Sequence, residues 1–433
     1  MNRVRGQGSG VRGHWLLAIG SLIFLLIPFR AFSAPSLYNK SQYEEKRIET
    51  QALPCAGTIS IIFLRVEFSD VKFNNQDFTS YMERMRDYYY KVSSGQLNLS
   101  CSITTTFGLA NTMAHYGNPE NPTSLKNDAI ATASSAGVNL SNYDSVMILH
   151  SGYGEETDNG LHPEWIRSCY IDGTYSTIPE MENGYSPFGV WCHEFAHQLG
   201  LPDMNPNAGP WSLMDTGCYN GQGDYPAWPD PYSRIKLGWA NAQTATTIVI
   251  NPRLNHPVYQ LGILGVECFL VEKRDEAGLP GRGFLVWHYQ GLLNNLTKLA
   301  ILQADGRNLG DEGDPFPGST GNFLIDDWTN PSLKYFNGNP SGFRIEFIKN
   351  IPKSYAFPNP INLNKNRRIT FEVDCGSIVN IYNIKGENIK YLRDFQNTGR
   401  IYWDIENIAS GVYIFMVVNK DGNKSFGKLG IIK

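Results

Sequence analysis

The spacing of apolar positions changes along the chain, and the changes mark its elements. Residues 59–68 (Ile-Ser-Ile-Ile-Phe-Leu-Arg-Val-Glu-Phe) form a β-prone apolar run, which predicts a central strand. From Phe78 to Val92 the period lengthens, with Tyr81, Met85, Tyr88 and Tyr89 on one helical stripe that predicts a core-facing helix. Ser93-Ser94-Gly95 ends that helix, and Gln96 to Thr105 then alternates as a second strand. Thr123 to Ala136 predicts another helix, with Thr123 or Ser124 as its N-cap, and Asp144 to Gly152 another buried strand. The β-α-β-α-β order predicts an α/β domain.

A helical pattern returns at Phe188 to Leu199, followed by a turn-rich region from Pro202 to Pro231 and a short helix over Pro231–Leu237. From Thr244 the pattern shifts to short β-prone runs, at Thr247–Ile250, Cys268–Glu272 and Phe284–His288, giving the domain an α+β character. Phe357-Pro358-Asn359-Pro360 breaks regular structure. Beyond it, runs at Ile369–Val373, Val379–Asn383, Ile389–Leu392, Ile401–Ile405, Gly411–Val418 and Lys424–Ile432 predict a small all-β sandwich over residues 366–433.

The 433 residues suffice for two or three domains. Lys and Arg total 37 against 41 Asp and Glu, so no basic excess points to nucleic acid. Arg3, Arg5 and Arg12 precede an apolar run from Trp15 to Pro28, and Ala31-Phe32-Ser33 supplies small residues for cleavage. The run is shorter than the ~20 apolar residues of a membrane span. Residues 1–33 are therefore expected to be a cleavable Sec-type signal peptide and not a transmembrane anchor, with residues 34–55 a short pro-segment or linker. Seven cysteines are compatible with export, and pairs among Cys169, Cys192 and Cys218, or between Cys55 and Cys101, are possible braces.

Residues 193–203 carry the chemistry: His-Glu-Phe-Ala-His-Gln-Leu-Gly-Leu-Pro-Asp. Histidines four apart lie on one helix face, where both rings can reach one metal ion. Glu194 is placed to act as general base on a metal-bound water, the arrangement of a zinc peptidase. Gly200 suits the helix stop, and Asp203 is the candidate third ligand, with Asp215 a nearby alternative. Cys192 points to a different side of the helix from the two histidines. Met214 lies inside Trp211-Ser212-Leu213-Met214-Asp215, and Tyr219 is a candidate oxyanion donor. Asp311 to Asp314 (Asp-Glu-Gly-Asp) is an acidic turn that reads as a solvated loop or a calcium site.

The zinc string resembles that of the immune inhibitor A family of secreted metallopeptidases. Further blocks resemble the same family in order: Tyr88-Tyr89-Tyr90 with Ser93 to Leu97, Trp211 to Asp215, Lys236-Leu237-Gly238-Trp239, Gly283 to His288 and Gly313 to Gly318. The resemblance covers roughly residues 56–325. It implies a zincin-type, metzincin-like metallopeptidase domain over 56–325 with zinc, structural calcium and protein or peptide substrates. His288, in the Gly283 to His288 block, is expected to be structural, and residues 326–365 are expected to be a connecting segment. Val379 to Gly386, Trp403-Asp404, Ala409 to Tyr413 and Lys428 to Lys433 resemble a type IX secretion sorting domain. That resemblance implies a secreted or cell-surface protein with the type IX machinery as partner. The leading expectation is a zinc endopeptidase with metal ligands His193, His197 and Asp203 and base Glu194. Its rival is a catalytically silent surface binding protein on a zincin scaffold.

Overall fold

The computed structural model describes residues 53–433 apart from 76, 159, 205–207, 252–256, 308, 319–320 and 349–353. The expected signal peptide, and nearly all of the expected pro-segment, lie outside the described residues. No described helix is long and apolar enough to cross a membrane.

The first unit is built on β1 (Gly57–Glu67), whose residues are buried in alternation against two different layers. Ile59, Ile61 and Phe63 face one core with α1 (Thr79–Val92). Ile62, Leu64 and Val66 face the other with Leu125, Ala129 and Ala133 of α3 (Pro122–Ser135). A strand covered on both sides needs apolar residues at nearly every position, which accounts for the continuous run in the sequence. The remaining elements are β2 (Leu97–Ile103), β3 (Phe107–Gly108), α2 (Met113–Gly117), β4 (Ser145–Tyr153), β5 (Cys169–Asp172) and β6 (Tyr175–Met181). The sheet order is β2-β1-β4-β6-β5, with β3 also on β1. All pairs are parallel except β5 on β6, so the outermost strand runs against the rest.

Two local details differ from the sequence expectation. The N-cap of α3 is Asn121, whose Oδ1 accepts from Ser124 N at 3.0 Å. Pro122 fits the first helical turn, where its missing N–H costs nothing, so the cap falls two residues earlier than Thr123. All seven cysteines are free. Cys192 and Cys218 are spent as core packing, and Cys169 is held on β5, where its N–H donates to Thr177 Oγ1 at 3.1 Å.

Helix α4 (Phe188–Gln198) lies under this sheet, with Trp191 against Phe63 at 5.3 Å and Phe195 against Tyr89 at 4.9 Å between ring centroids. Gln198 ties it to the strands, accepting from Ser145 Oγ at 2.7 Å and donating to Ser176 Oγ at 2.9 Å. After the turn region and α5 (Pro231–Lys236) comes a five-stranded sheet in the order Asn295–Leu302, Gly283–Leu292, Glu267–Arg274, Val258–Ile263, Ala242–Thr244. Two of the β-prone runs read from sequence are the centres of its longest strands. Thr247–Ile250 instead joins Arg344–Phe347 in a small sheet.

The C-terminal part is all β. A three-stranded sheet (Ser354–Phe357, Arg368–Val373, Arg400–Asp404) accompanies a five-stranded one that includes Ile378–Tyr382, Gly411–Val418 and Lys424–Ile432. Their inner faces share a core of Ile369, Phe371, Val379, Ile381, Phe415 and Leu429, the layout of a small sandwich. The protein is therefore mixed α/β with a β-rich C-terminal region.

Candidate metal centre

Helix α4 is buried on almost every side. Only His193 and His197 of its residues are not buried, with side chains 13% and 11% exposed. The four-residue spacing puts their Nε2 atoms 3.0 Å apart. Leu199 caps the helix, and Gly200 turns the chain at φ +88°, a conformation that favours glycine. The turn brings Asp203 back, with Oδ1 at 3.2 Å from His193 Nε2 and 3.4 Å from His197 Nε2. Its side chain stays 51% exposed, so the trio opens outward.

Both rings are oriented from behind. His193 Nδ1 lies 2.8 Å from the Leu213 carbonyl, and His197 Nδ1 lies 2.8 Å from the Leu201 carbonyl. A carbonyl can only accept, so each Nδ1 carries the proton and each Nε2 presents its lone pair to the trio. The segment around Met214 holds two of the three residues: the Met204 N–H, next to Asp203, donates to the Met214 carbonyl at 2.7 Å. Sequence reading singled out Met214 by its position. It did not anticipate that the carbonyls of residues 213 and 214 make the contacts.

Three donors surround a point that a tetrahedral zinc ion would fill. Bonds of ~2.0–2.1 Å at tetrahedral angles put ligand atoms about 3.3 Å apart. The observed separations of 3.0, 3.2 and 3.4 Å bracket that figure. Nitrogen, nitrogen and carboxylate oxygen are also a donor set that zinc accepts. Burial works to lower the pKa of His193, but Asp203 outweighs it and the pKa is raised; His197 behaves likewise. Burial would raise Asp203, yet the two rings hold it well below the usual carboxylate range.

Glu194 is 5% exposed, and its Oε2 has no hydrogen-bond partner among the described residues. Burial pushes its pKa up to about 8; His193 and Arg167 pull it down, while Glu156 and Asp203 push it up. Glu156 was not singled out from the sequence. Its Oε1 accepts from Ser168 N, and its Oε2 meets Glu182 Oε1 over Gly154, where a Cβ would lie 2.5 and 2.3 Å from these oxygens.

The other residues named from sequence have different places. Asp215 is a loop anchor: Oδ2 accepts from Ala208 N at 3.0 Å and Gly209 N at 2.8 Å, and Oδ1 from Thr216 N at 2.7 Å. Cys192 is buried in the core, where its carbonyl accepts from Tyr89 Oη at 2.5 Å. Tyr219 is buried edge-on against Tyr185, with no partner for its hydroxyl among the described residues. His288 pairs with Glu267 at 2.9 Å and stacks on Phe336. A second group, Asp305, Asp311 and Asp314, brings one carboxylate oxygen of each within 4.8 Å of the others. Asp311 and Asp314 belong to the acidic turn, whereas Asp305 drew no notice in the sequence.

The chain is similar to secreted metalloproteases over part of its length, and its C-terminus matches a secretion module. Residues 355–433 match the family model of the secretion system C-terminal sorting domain, which marks an exported, secreted or cell-surface protein. Immune inhibitor A of Bacillus thuringiensis subsp. alesti is 23% identical over 278 residues, covering 42% of this chain and 40% of that protein. The pre-pro-metalloprotease PrtV of Vibrio cholerae is 25% identical over 234 residues, covering 39% of this chain and 25% of that protein. The chain thus spans less than half the length of these relatives. The crystal structure of OgpA from Akkermansia muciniphila aligns over 92% of this chain and 97% of that one, at 12% identity and a TM-score of 0.26.

Proposed function

We propose that the protein is a secreted zinc-dependent endopeptidase of the zincin type, with His193, His197 and Asp203 as zinc ligands and Glu194 as general base. The carrying observation is the convergence of two Nε2 atoms and one carboxylate oxygen within 3.0–3.4 Å beside a buried, unpartnered glutamate oxygen. A mostly parallel sheet with one antiparallel outer strand, followed by a helix bearing the histidine pair, supports the zincin reading. Similarity to two metalloproteases supports the reaction class.

When bound, zinc supplies a Lewis acid and a water of lowered pKa. The chain's residues do the rest. Glu194 Oε2 takes the proton of the attacking water and returns it to the leaving amine. Its buried setting raises its affinity for that proton, which suits the first of these transfers. The Leu213 and Leu201 carbonyls keep both rings in the ligating tautomer. Strand β5 contacts α4 and, among the described residues, leaves one edge unpaired, where an extended peptide can add as a strand. Calcium is the second metal in this reading, at the acidic turn Asp311 to Asp314.

The silent-scaffold alternative has no supporting observation: the base is present and buried beside the ligands. Casein or gelatin hydrolysis by the purified mature protein, lost with a chelator and restored by zinc, is the test. Intact substrate after zinc loading would leave the scaffold reading.

A further inference from the structure

We propose that the cavity at the carboxyl ends of β4 and β6, lined by Tyr81, Tyr153, Tyr185 and the buried Glu182, binds a lysine or arginine side chain of the substrate. Selection of the cut bond by that side chain rests on the peptidase reading above; the cation site itself does not.

Parallel pairing brings Tyr153, the last residue of β4, beside Met181, the last of β6. The crevice beyond such strand ends is where open sheets of this kind hold ligands. Here it is a cavity of about 410 Å³. An antiparallel bridge between Glu182 and Tyr185 folds the chain back at the cavity, and Pro187 then leads into α4. His193 lies six residues beyond Pro187, about 9 Å along the helix axis. An extended peptide advances about 3.4 Å per residue, so a residue within about three positions of a bond held at the metal centre can lay its side chain in the cavity.

The walls suit a long cation. Tyr153 stacks on Trp165 at 4.7 Å and Tyr81 packs against Trp191 at 5.3 Å between ring centroids, so both rings are held in place. Such rings pack along an aliphatic stem and attract an ammonium or guanidinium group. Two carboxyl groups line the cavity, and they differ. Glu180 is held by backbone N–H groups: Oε1 accepts from Asn74 N at 2.7 Å and Asn75 N at 2.6 Å, and Oε2 from Gly152 N at 3.1 Å. Glu182 is 4% exposed, and its Oε2 accepts from Thr157 Oγ1 at 2.5 Å. Its Oε1 has no donor among the described residues. That oxygen and Glu156 Oε2, which also lacks a donor, crowd the same point above Gly154. Among the described residues, no Lys or Arg forms an ion pair with either glutamate. Arg84, over the Tyr81 ring, is taken by Asp224 at 3.0 Å. Two buried carboxylate oxygens that face each other need a cation or a proton between them. A proton can fill that place: burial, and then the charge of Glu156, hold Glu182 well above the usual carboxylate range. A substrate ammonium or guanidinium reaching Oε1 replaces that proton, which passes to solvent.

The test uses the full mature chain loaded with zinc. Casein is digested and the new termini are read by mass spectrometry. Lys and Arg should be enriched over their frequency in casein at one fixed position within about three residues of the cut bond. Quenched fluorescent peptides with lysine or norleucine at that position then give the size of the preference, expected at about 10²-fold in kcat/KM because only lysine meets the buried carboxyls. In Glu182→Gln the lysine-to-norleucine ratio should fall by at least about tenfold, as for loss of one partner of a buried charge pair. Cuts with no Lys or Arg preference, or a ratio unchanged in Glu182→Gln, would overturn the cation site and leave the peptidase reading standing. A tightly held divalent cation released by Glu182→Gln would also overturn it, by showing the carboxyls to be a metal site. If no peptide is cut, the peptidase reading fails and calorimetric titration with the same two peptides decides. Tighter binding of the lysine peptide, lost in Glu182→Gln, would still establish the site, and equal Kd values would overturn it.

Discussion

His193 Nδ1 stands 2.8 Å from the carbonyl oxygen of Leu213, twenty residues downstream. The contact turns the ring so that Nε2 faces Asp203 Oδ1 at 3.2 Å, and it makes the backbone around Met214 a support for the metal centre. Support of this kind distinguishes the two aspartates nearby. Asp203→Asn replaces the anionic donor of the trio with a neutral amide and is expected to weaken zinc binding by more than the ~10–100-fold that loss of an outer-shell partner costs. Asp215→Asn keeps an oxygen that can still accept from Ala208 N and Gly209 N, so zinc should stay stoichiometric. Metal analysis of the two variants side by side checks the assignment, and zinc lost from Asp215→Asn but kept in Asp203→Asn would reverse it.

Arg274 is 1% exposed and joins the second sheet to the same segment. Its Nη1 donates to the Trp211 carbonyl at 2.8 Å and to Glu272 Oε1 at 3.0 Å, and its Nη2 pairs with Glu276 at 2.5 Å. Arg274→Met strips that cation from the buried carboxylate of Glu272 and the part-buried one of Glu276. Breaking such a pair costs about 3–5 kcal/mol, and chemical denaturation should show a loss of that order. A variant as stable as the wild type would show the network to be dispensable.

Glu120 gives a pH signature separate from the metal centre. Burial, with the nearby Glu155, pushes its pKa up to about 7, with Arg167 opposing and Glu156 adding. Between the ordinary value of 4.5 and about 7 the folded chain holds a proton that the unfolded chain has released. This group's contribution to stability therefore falls as pH rises through that window. Glu120→Gln should unfold at a higher temperature than wild type at pH 8, with the gap closing at pH 5. A constant gap across that range would show that the carboxyl does not carry the dependence.

The sorting domain predicts a cellular result. Residues 355–433 match the sorting-domain model, and Tyr355 lies in the first strand of the sandwich, Ser354–Phe357. A chain truncated before that strand should accumulate in the periplasm while the full chain reaches the surface or medium. Fractionation by immunoblot reads the difference, and equal release of both forms would contradict it.

Much of this was legible in the sequence because the informative patterns are local. The helix pair at 193 and 197 and the glycine stop at 200 are set by spacing, and the doubly buried β1 by an unbroken apolar run. What stayed hidden is long-range. Leu213 and Leu201 act through carbonyls, which every residue possesses, so their side chains give no sign of the role. Glu156 meets Glu182 only because β4 and β6 pair in parallel and carry the following loops to one end of the sheet. Asp305 lies six residues before the acidic turn and joins it through a fold-back at Gly313. The strands Val258–Ile263 and Asn295–Leu302 were missed because their polar and charged positions dilute the β pattern at one face of the sheet.

The most direct test of the central claim is zinc content and proteolysis measured together on Glu194→Ala. In the proposed mechanism Glu194 supplies the proton transfer and is not one of the three ligands, so the variant should bind zinc at full stoichiometry. Its kcat on casein should fall by at least the ~10²–10⁴-fold attributed to general acid–base catalysis. Zinc bound and activity equal to wild type would contradict the account.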